Sequence, residues 1–98
     1  MTSSEPRTDT PRLRVDTTNV TWREVNGEIV ALDLRSSTYF TTNRTGAIMW
    51  IALVEGSAVA DLVASLRSRF DIDQRQAVED VRTFLALLST NDLLIEQE

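Results

Sequence analysis

Cysteine, histidine and lysine are all missing from this chain of 98 residues. Without cysteine there is no disulfide and no thiolate nucleophile; without histidine there is no imidazole base, and the soft ligands of zinc, copper or iron–sulfur sites are gone. The lack of lysine leaves all ten basic residues as arginine, which rules out a Schiff base and a P-loop phosphate lysine. No apolar run approaches the ~20 residues that a bilayer span needs. The opening "MTSSEPRTDTP" has neither a basic n-region nor an apolar stretch, so residues 1–11 read as a disordered tail and not as a secretory signal. The expected location is cytoplasmic, and no cofactor is expected.

What remains is ordinary for one soluble core: 42% apolar and 26% charged residues. The length suits one domain, taken as 12–98, because single cores run to about 100 to 150 residues. Fifteen acidic residues give a net charge of -5, which repels phosphate backbones. Nucleic acid and membrane are therefore not expected partners. No internal repeat or low-complexity segment breaks the chain.

"VTWREVNGEIVALDL" sets two apolar-rich runs around Asn26-Gly27, the dipeptide that best supplies successive positive φ angles in a tight hairpin. Strands are expected over 20–25 and 28–34. In the second, Val30, Leu32 and Leu34 form the more apolar face, against Ile29, Ala31 and Asp33. Arg35-Ser36-Ser37 then turns the chain into "TYFTT", the third strand of an antiparallel meander and one lying at its edge.

Asn43 is placed to cap a helix, "TGAIMWIALVE", that is apolar almost all round and so expected at the buried centre. Gly56 suits the positive-φ position past its end, and Ser57 could cap the next helix. There Val59, Leu62, Val63, Leu66 and Phe70 keep helical spacing. A third helix starts near Asp73, with Gln76 at the reciprocal capping-box place, and ends near Ser89. Its core stripe is Ala77, Val81, Phe84 and Leu88; Val78, Arg82 and Leu85 lie on a neighbouring flank, which widens the apolar band. Asn91 or Asp92 then allows a turn from which "LLI" packs back. The fold expected is α+β, a three-stranded antiparallel sheet followed by three helices.

Leu32-Asp33, Tyr39, Asn43, Gly46 and Trp50, followed by Gly56, Asp80-Val81, Phe84-Leu85 and Leu93-Leu94, form an ordered set over residues 20–95. This set resembles the PqqD-like family, also called RiPP recognition elements. Two departures stand out: Thr42 where such proteins usually carry Leu, and Asp92 where Gly is common. The resemblance implies a small winged-helix-like domain that binds the leader of a ribosomally made precursor peptide without catalysing a reaction. Within the family, the wording looks most like the B1 proteins of lasso-peptide pathways. That implies three partners: the precursor leader, a separate cysteine-type leader peptidase called B2, and the cyclase.

The mechanism so implied is strand addition, in which the leader pairs with Ser37, Thr38, Tyr39, Phe40, Thr41 and Thr42 and sets side chains against Val78, Arg82 and Leu85. Ordering about six residues costs roughly 6 to 12 kcal/mol. About four ladder hydrogen bonds return only ~1 kcal/mol each. Two or three buried anchors at roughly 1.5 to 3 kcal/mol each are therefore required. The sequence does not say which face of the strand meets the helix.

Plainer roles compete. Phe40 can be core, Val78 and Leu85 can pack on the chain end, and Arg82 can pair with Glu79 or Asp80. Trp22 and Trp50 read as packing residues. Glu79-Asp80 is no catalytic dyad, since adjacent helix positions point ~100° apart. Competing functions are a PqqD-type chaperone of another modified-peptide or pyrroloquinoline quinone pathway, a winged-helix DNA regulator, and an oligomerising module with a self-pairing strand. Against the DNA reader, the third helix sets only Arg75 and Arg82 against Asp73, Glu79 and Asp80.

Overall fold

The structure is a computed structural model and describes residues 11–97. The expected tail therefore lies, apart from Pro11, outside the described residues. The strands are β1 (Arg12–Val15), β2 (Val20–Val25), β3 (Glu28–Asp33), β4 (Thr38–Thr41), β5 (Ser57–Ala58) and β6 (Leu94–Gln97). The helices are α1 (Arg44–Glu55), α2 (Val59–Arg69) and α3 (Gln74–Thr90).

The meander β2-β3-β4 is present in that order, all antiparallel, with β4 at its border. Its first turn behaves as the dipeptide dictates: Asn26 and Gly27 take φ of 55° and 81°. The inward face is the reverse of the one expected. Ile29 and Ala31 are fully buried and Asp33 nearly so, whereas Leu34 stands exposed. Both faces of β3 are apolar enough to go inside, so the partner layer decides. A cross-strand row Trp22–Ala31–Phe40 lies over the indole of Trp50 on α1, which meets Trp22 and Phe40 edge-on at 5.9 and 5.6 Å. Alanine in the middle of that row leaves space that valine or leucine would fill.

A second sheet, ordered β5-β1-β6, was not expected. Four residues of β1 pair with the chain end from Arg12↔Gln97 to Val15↔Leu94, so "LLI" does pack back, but as a strand. The Asp16 N–H donates to Leu93 O at 2.8 Å and closes this clasp beside buried Val15 and Leu93. A strand this short, with partners so distant in sequence, carries little local signal.

α1 packs against β1, β3, α2 and α3, the central place its apolar sequence requires. The Asn43 side chain accepts from the Gly46 N–H at 2.8 Å, and Gly56 takes φ 104° as α1 ends. One expected cap is absent and another is made only in one direction. Ser57 lies in β5 with its hydroxyl donating to Ala58 O, and Ala58 precedes α2 without a side-chain cap. Asp73 caps α3 by accepting from the Gln76 N–H, but the Gln76 side chain donates forward to Asp80, so the reciprocal bond is not made. Ala77, Val81, Phe84 and Leu88 are buried, as the stripe predicts.

An open strand edge beside the third helix

β4 is held in place at both ends by side chains that bond to backbone. At its start the Asp33 carboxylate, turned inward, accepts from the Arg35 N–H at 3.0 Å and lies 3.6 Å from the Arg35 guanidinium. That backbone donor, ahead of the arginine's charge, holds the Asp33 carboxyl below its usual value. The turn continues through Ser37 at φ 57°, with the Thr38 hydroxyl donating to Ser36 O. At the far end Thr42 is buried; its N–H donates to Ile29 O at 3.0 Å and its hydroxyl accepts from Ile29 N–H at 3.1 Å.

The Ile29–Thr42 bond fixes which backbone groups of β4 are free. In an antiparallel ladder, successive residues turn both polar groups to alternate sides. Thr42 bonds to β3, so Phe40 opposite Ala31 and Thr38 opposite Asp33 do so too. Tyr39 and Thr41 therefore aim N–H and C=O away from the sheet, and among the described residues no strand pairs there.

The two faces are equally distinct. Thr38, Phe40 and Thr42 share the inner face with Ala31 and Asp33; Tyr39 and Thr41 share the outer face with Leu32 and Val30. Two separate depressions lie between the ends of β4 and α3. One, of about 320 Å³, lies between Thr41, Thr42, Gly46 and Met49 on one side and Asp80, Thr83, Phe84 and Leu87 on the other. The second, of about 410 Å³, joins Thr38 and the turn before it to Thr90, Asn91 and Asp92 at the end of α3. Phe84, Leu87 and Met49 give the first an apolar floor, with threonines and Asp80 at its rim.

Of the side chains assigned to this site from sequence, Thr38, Thr41 and Thr42 line the two depressions, whereas Ser37, Tyr39 and Phe40 on the strand and the three helix residues do not. Leu87 and Leu85 are two positions apart, about 200° around a helix, so they face nearly opposite ways. Val78, Arg82 and Leu85 lie on the flank turned from β4; Leu85 packs on the core, and none of the three lines the cleft. Arg82 has no ion pair with Glu79 or Asp80, the Asp33–Arg35 pair being the one present among the described residues. Asp80, Thr83, Phe84 and Leu87 take their place. The signal for them in the sequence is Leu87, an apolar residue outside the core stripe and on the side away from Val78 and Leu85. No group of three or more metal-ligating side chains occurs among the described residues. None of their helices is long and apolar enough to cross a membrane.

Residues 28–94, which run from β3 into β6 and contain the whole of this site, match the family described as "Coenzyme PQQ synthesis protein D (PqqD)". The chain belongs to the PqqD family. No curated protein matches it. Among solved structures, the PqqD-family chain is similar to "TbiB1 in Complex with the TbiA(beta) Leader Peptide", at 27% identity and a TM-score of 0.75, with 83% of this chain and 93% of that one covered. It also shares its fold with "Lasso peptide synthetase B1 complexed with the leader peptide", at 24% identity and a TM-score of 0.73, with 85% and 96% covered. The likeness thus extends over nearly the full length of both solved chains.

Proposed function

We propose that this PqqD-family protein is a noncatalytic adaptor that captures the leader of a ribosomal precursor peptide by strand addition to β4 and presents it to maturation enzymes of a lasso-peptide pathway. The observation that carries this reading is the open edge of Tyr39 and Thr41, with an apolar cleft between Thr41 and α3, in a fold shared with TbiB1, whose solved complex holds the TbiA(beta) leader peptide. The two free residues offer two donors and two acceptors, the four ladder bonds worth ~1 kcal/mol each. Since that falls short of the ordering cost, the remainder comes from side chains entering the apolar cleft beside Phe84, Leu87 and Met49.

The finer parts of the reading are the partners: a cysteine-type leader peptidase of the B2 kind, and the cyclase, both meeting the leader after capture. The protein acts in the cytoplasm and supplies binding, not turnover. Its proposed contacts are Ser37, Thr38, Tyr39, Phe40, Thr41 and Thr42, with Leu87, Thr83 and Phe84 in place of Val78, Arg82 and Leu85.

Calorimetric titration with a synthetic lasso-precursor leader tests the proposal, with duplex DNA as the competing ligand. Micromolar or tighter leader binding is expected, with none to DNA. Thr41→Pro deletes an outward donor without touching the bonds to β3, and should abolish binding while the circular dichroism spectrum is kept. Undiminished leader binding by that variant would overturn strand addition.

A further inference from the structure

Tyr39 is the most exposed large apolar side chain among the described residues, at 68%. The core has no use for it: Phe40, one residue on, packs edge-on against Trp50, while Tyr39 belongs neither to the buried cluster nor to the residues packed on it. An exposed aromatic on an unpaired border invites unwanted association, so its position asks for a function. Its surroundings supply one. On the outer face Tyr39 sits opposite Leu32, with Val30 diagonal to it, and Leu34 stands exposed where β3 ends. The ring thus has an apolar neighbour on the β3 side and an open edge on the other.

Resting on the strand-addition reading, we propose that Tyr39 is a specificity-determining residue for the leader, reading on the outer face an apolar or aromatic side chain that the cleft cannot reach. The geometry follows from the alternation already established. A guest strand paired with β4 sends alternate side chains to opposite faces. Those across from Phe40 share its inner face, the side on which Phe84 and Leu87 line the cleft. Those across from Tyr39 and Thr41 are turned outward, where an isolated strand would leave them in water. Directly opposite residues approach to about 5.5 Å between Cα atoms, within reach of an aromatic ring. The guest residue facing Tyr39 is therefore covered on one side by the ring, which is itself backed by Leu32. The leader this protein accepts carries two interleaved requirements: cleft anchors at one parity, and one apolar residue at the other.

The test is a double-mutant cycle on the full chain with the same synthetic leader, scanned by alanine. Tyr39→Ala should weaken binding about fivefold, the size of a favourable cross-strand aromatic pair. Tyr39→Phe should bind as the wild type does, and both variants should remain folded at the titration temperature by circular dichroism. One outward-parity leader position, apolar in the wild-type peptide, should lose its own alanine effect in the Tyr39→Ala background, while cleft anchors keep theirs. Wild-type affinity for Tyr39→Ala, or a loss coupled to no leader position, overturns the proposal. Thr41→Pro separates the two failures. If that variant loses the leader and Tyr39→Ala does not, only the outer-face reading falls; if Thr41→Pro or the wild type shows no strand-dependent binding, both fall.

Discussion

The hydroxyl of Thr42 occupies the place of a backbone carbonyl opposite Ile29: it accepts the Ile29 N–H at 3.1 Å while the Thr42 N–H donates to Ile29 O at 3.0 Å. The ladder is thereby carried one pair beyond β4, and the last rung is made by a side chain. Valine has nearly the same shape but no acceptor, so Thr42→Val leaves the N–H of fully buried Ile29 without a partner. The expected cost is about 1 to 3 kcal/mol. At the usual scaling for a domain of this size, that is a fall of roughly 4 to 8 °C in melting temperature per kcal/mol. Thr42→Ser should retain most of the stability. Equal urea midpoints for the valine variant and the wild type would show that Ile29 finds another acceptor.

Gly46 owes its identity to close approach and not to backbone freedom. A Cβ there would come within 2.9 Å of Thr42 Cβ and 3.2 Å of Phe84 Cε1. Alanine is the better helix former by about 1 kcal/mol, yet overpacking against a ring and a strand end costs about 1 to 3 kcal/mol. Gly46→Ala should therefore lower stability, the opposite of what propensity predicts. Because Thr42 and Phe84 both line the cleft, leader affinity should fall with it. A variant melting at or above the wild type would mean that Phe84 swings aside freely.

These contacts show what could be read in the sequence and what could not. Asn26-Gly27, Asn43, Asp73 and the stripe Ala77, Val81, Phe84, Leu88 are local signals: each is complete within a turn or a few helical turns, and each is present in the fold. The inward face of β3 was hidden because its choice depends on Trp50, some twenty residues on, for which Ala31 and not Leu32 leaves room. β1 and β6 were hidden for the same reason, since neither is a strand without the other. At the site, the edge of the meander was legible from strand order. The wall facing it was not, because α3 carries apolar residues on both sides of its core stripe and only the packing of α3 beside β4 selects Leu87 over Leu85.

Asp33 links the acid stability of the protein to the turn that presents β4. Its carboxyl is held below the ordinary value of 3.8, first by the Arg35 backbone N–H and then by the Arg35 side chain. A lowered folded-state value means that the unfolded chain takes up this proton first. The contribution is therefore fully present above about pH 4 and is lost as the pH falls through the lower folded value. Asp33→Asn removes this dependence, so the urea midpoints of the two proteins should differ at pH 6 and converge towards pH 2. Some acid sensitivity remains in the variant, since Asp16 is likewise held low, by Thr18. Parallel curves over the whole range would exclude Asp33 as the source.

Leu87 and Leu85 lie on opposite flanks of one helix, and a charge placed on each separates binding from folding. Leu87 is 44% exposed in the cleft beside Thr41 and Thr42, so an aspartate there meets water in the free protein and costs little stability. In the proposed complex the same carboxylate would be buried beside an apolar anchor. Losing one anchor worth roughly 1.5 to 3 kcal/mol predicts leader binding weaker by at least about tenfold, with desolvation of the charge adding to it. Leu85 packs on the core and is absent from the cleft. Leu85→Asp should therefore lower the melting temperature and weaken the leader only in proportion to the unfolded fraction. The reverse pattern, tight binding by Leu87→Asp and a folded Leu85→Asp protein blind to the leader, would move the binding groove to the other side of α3.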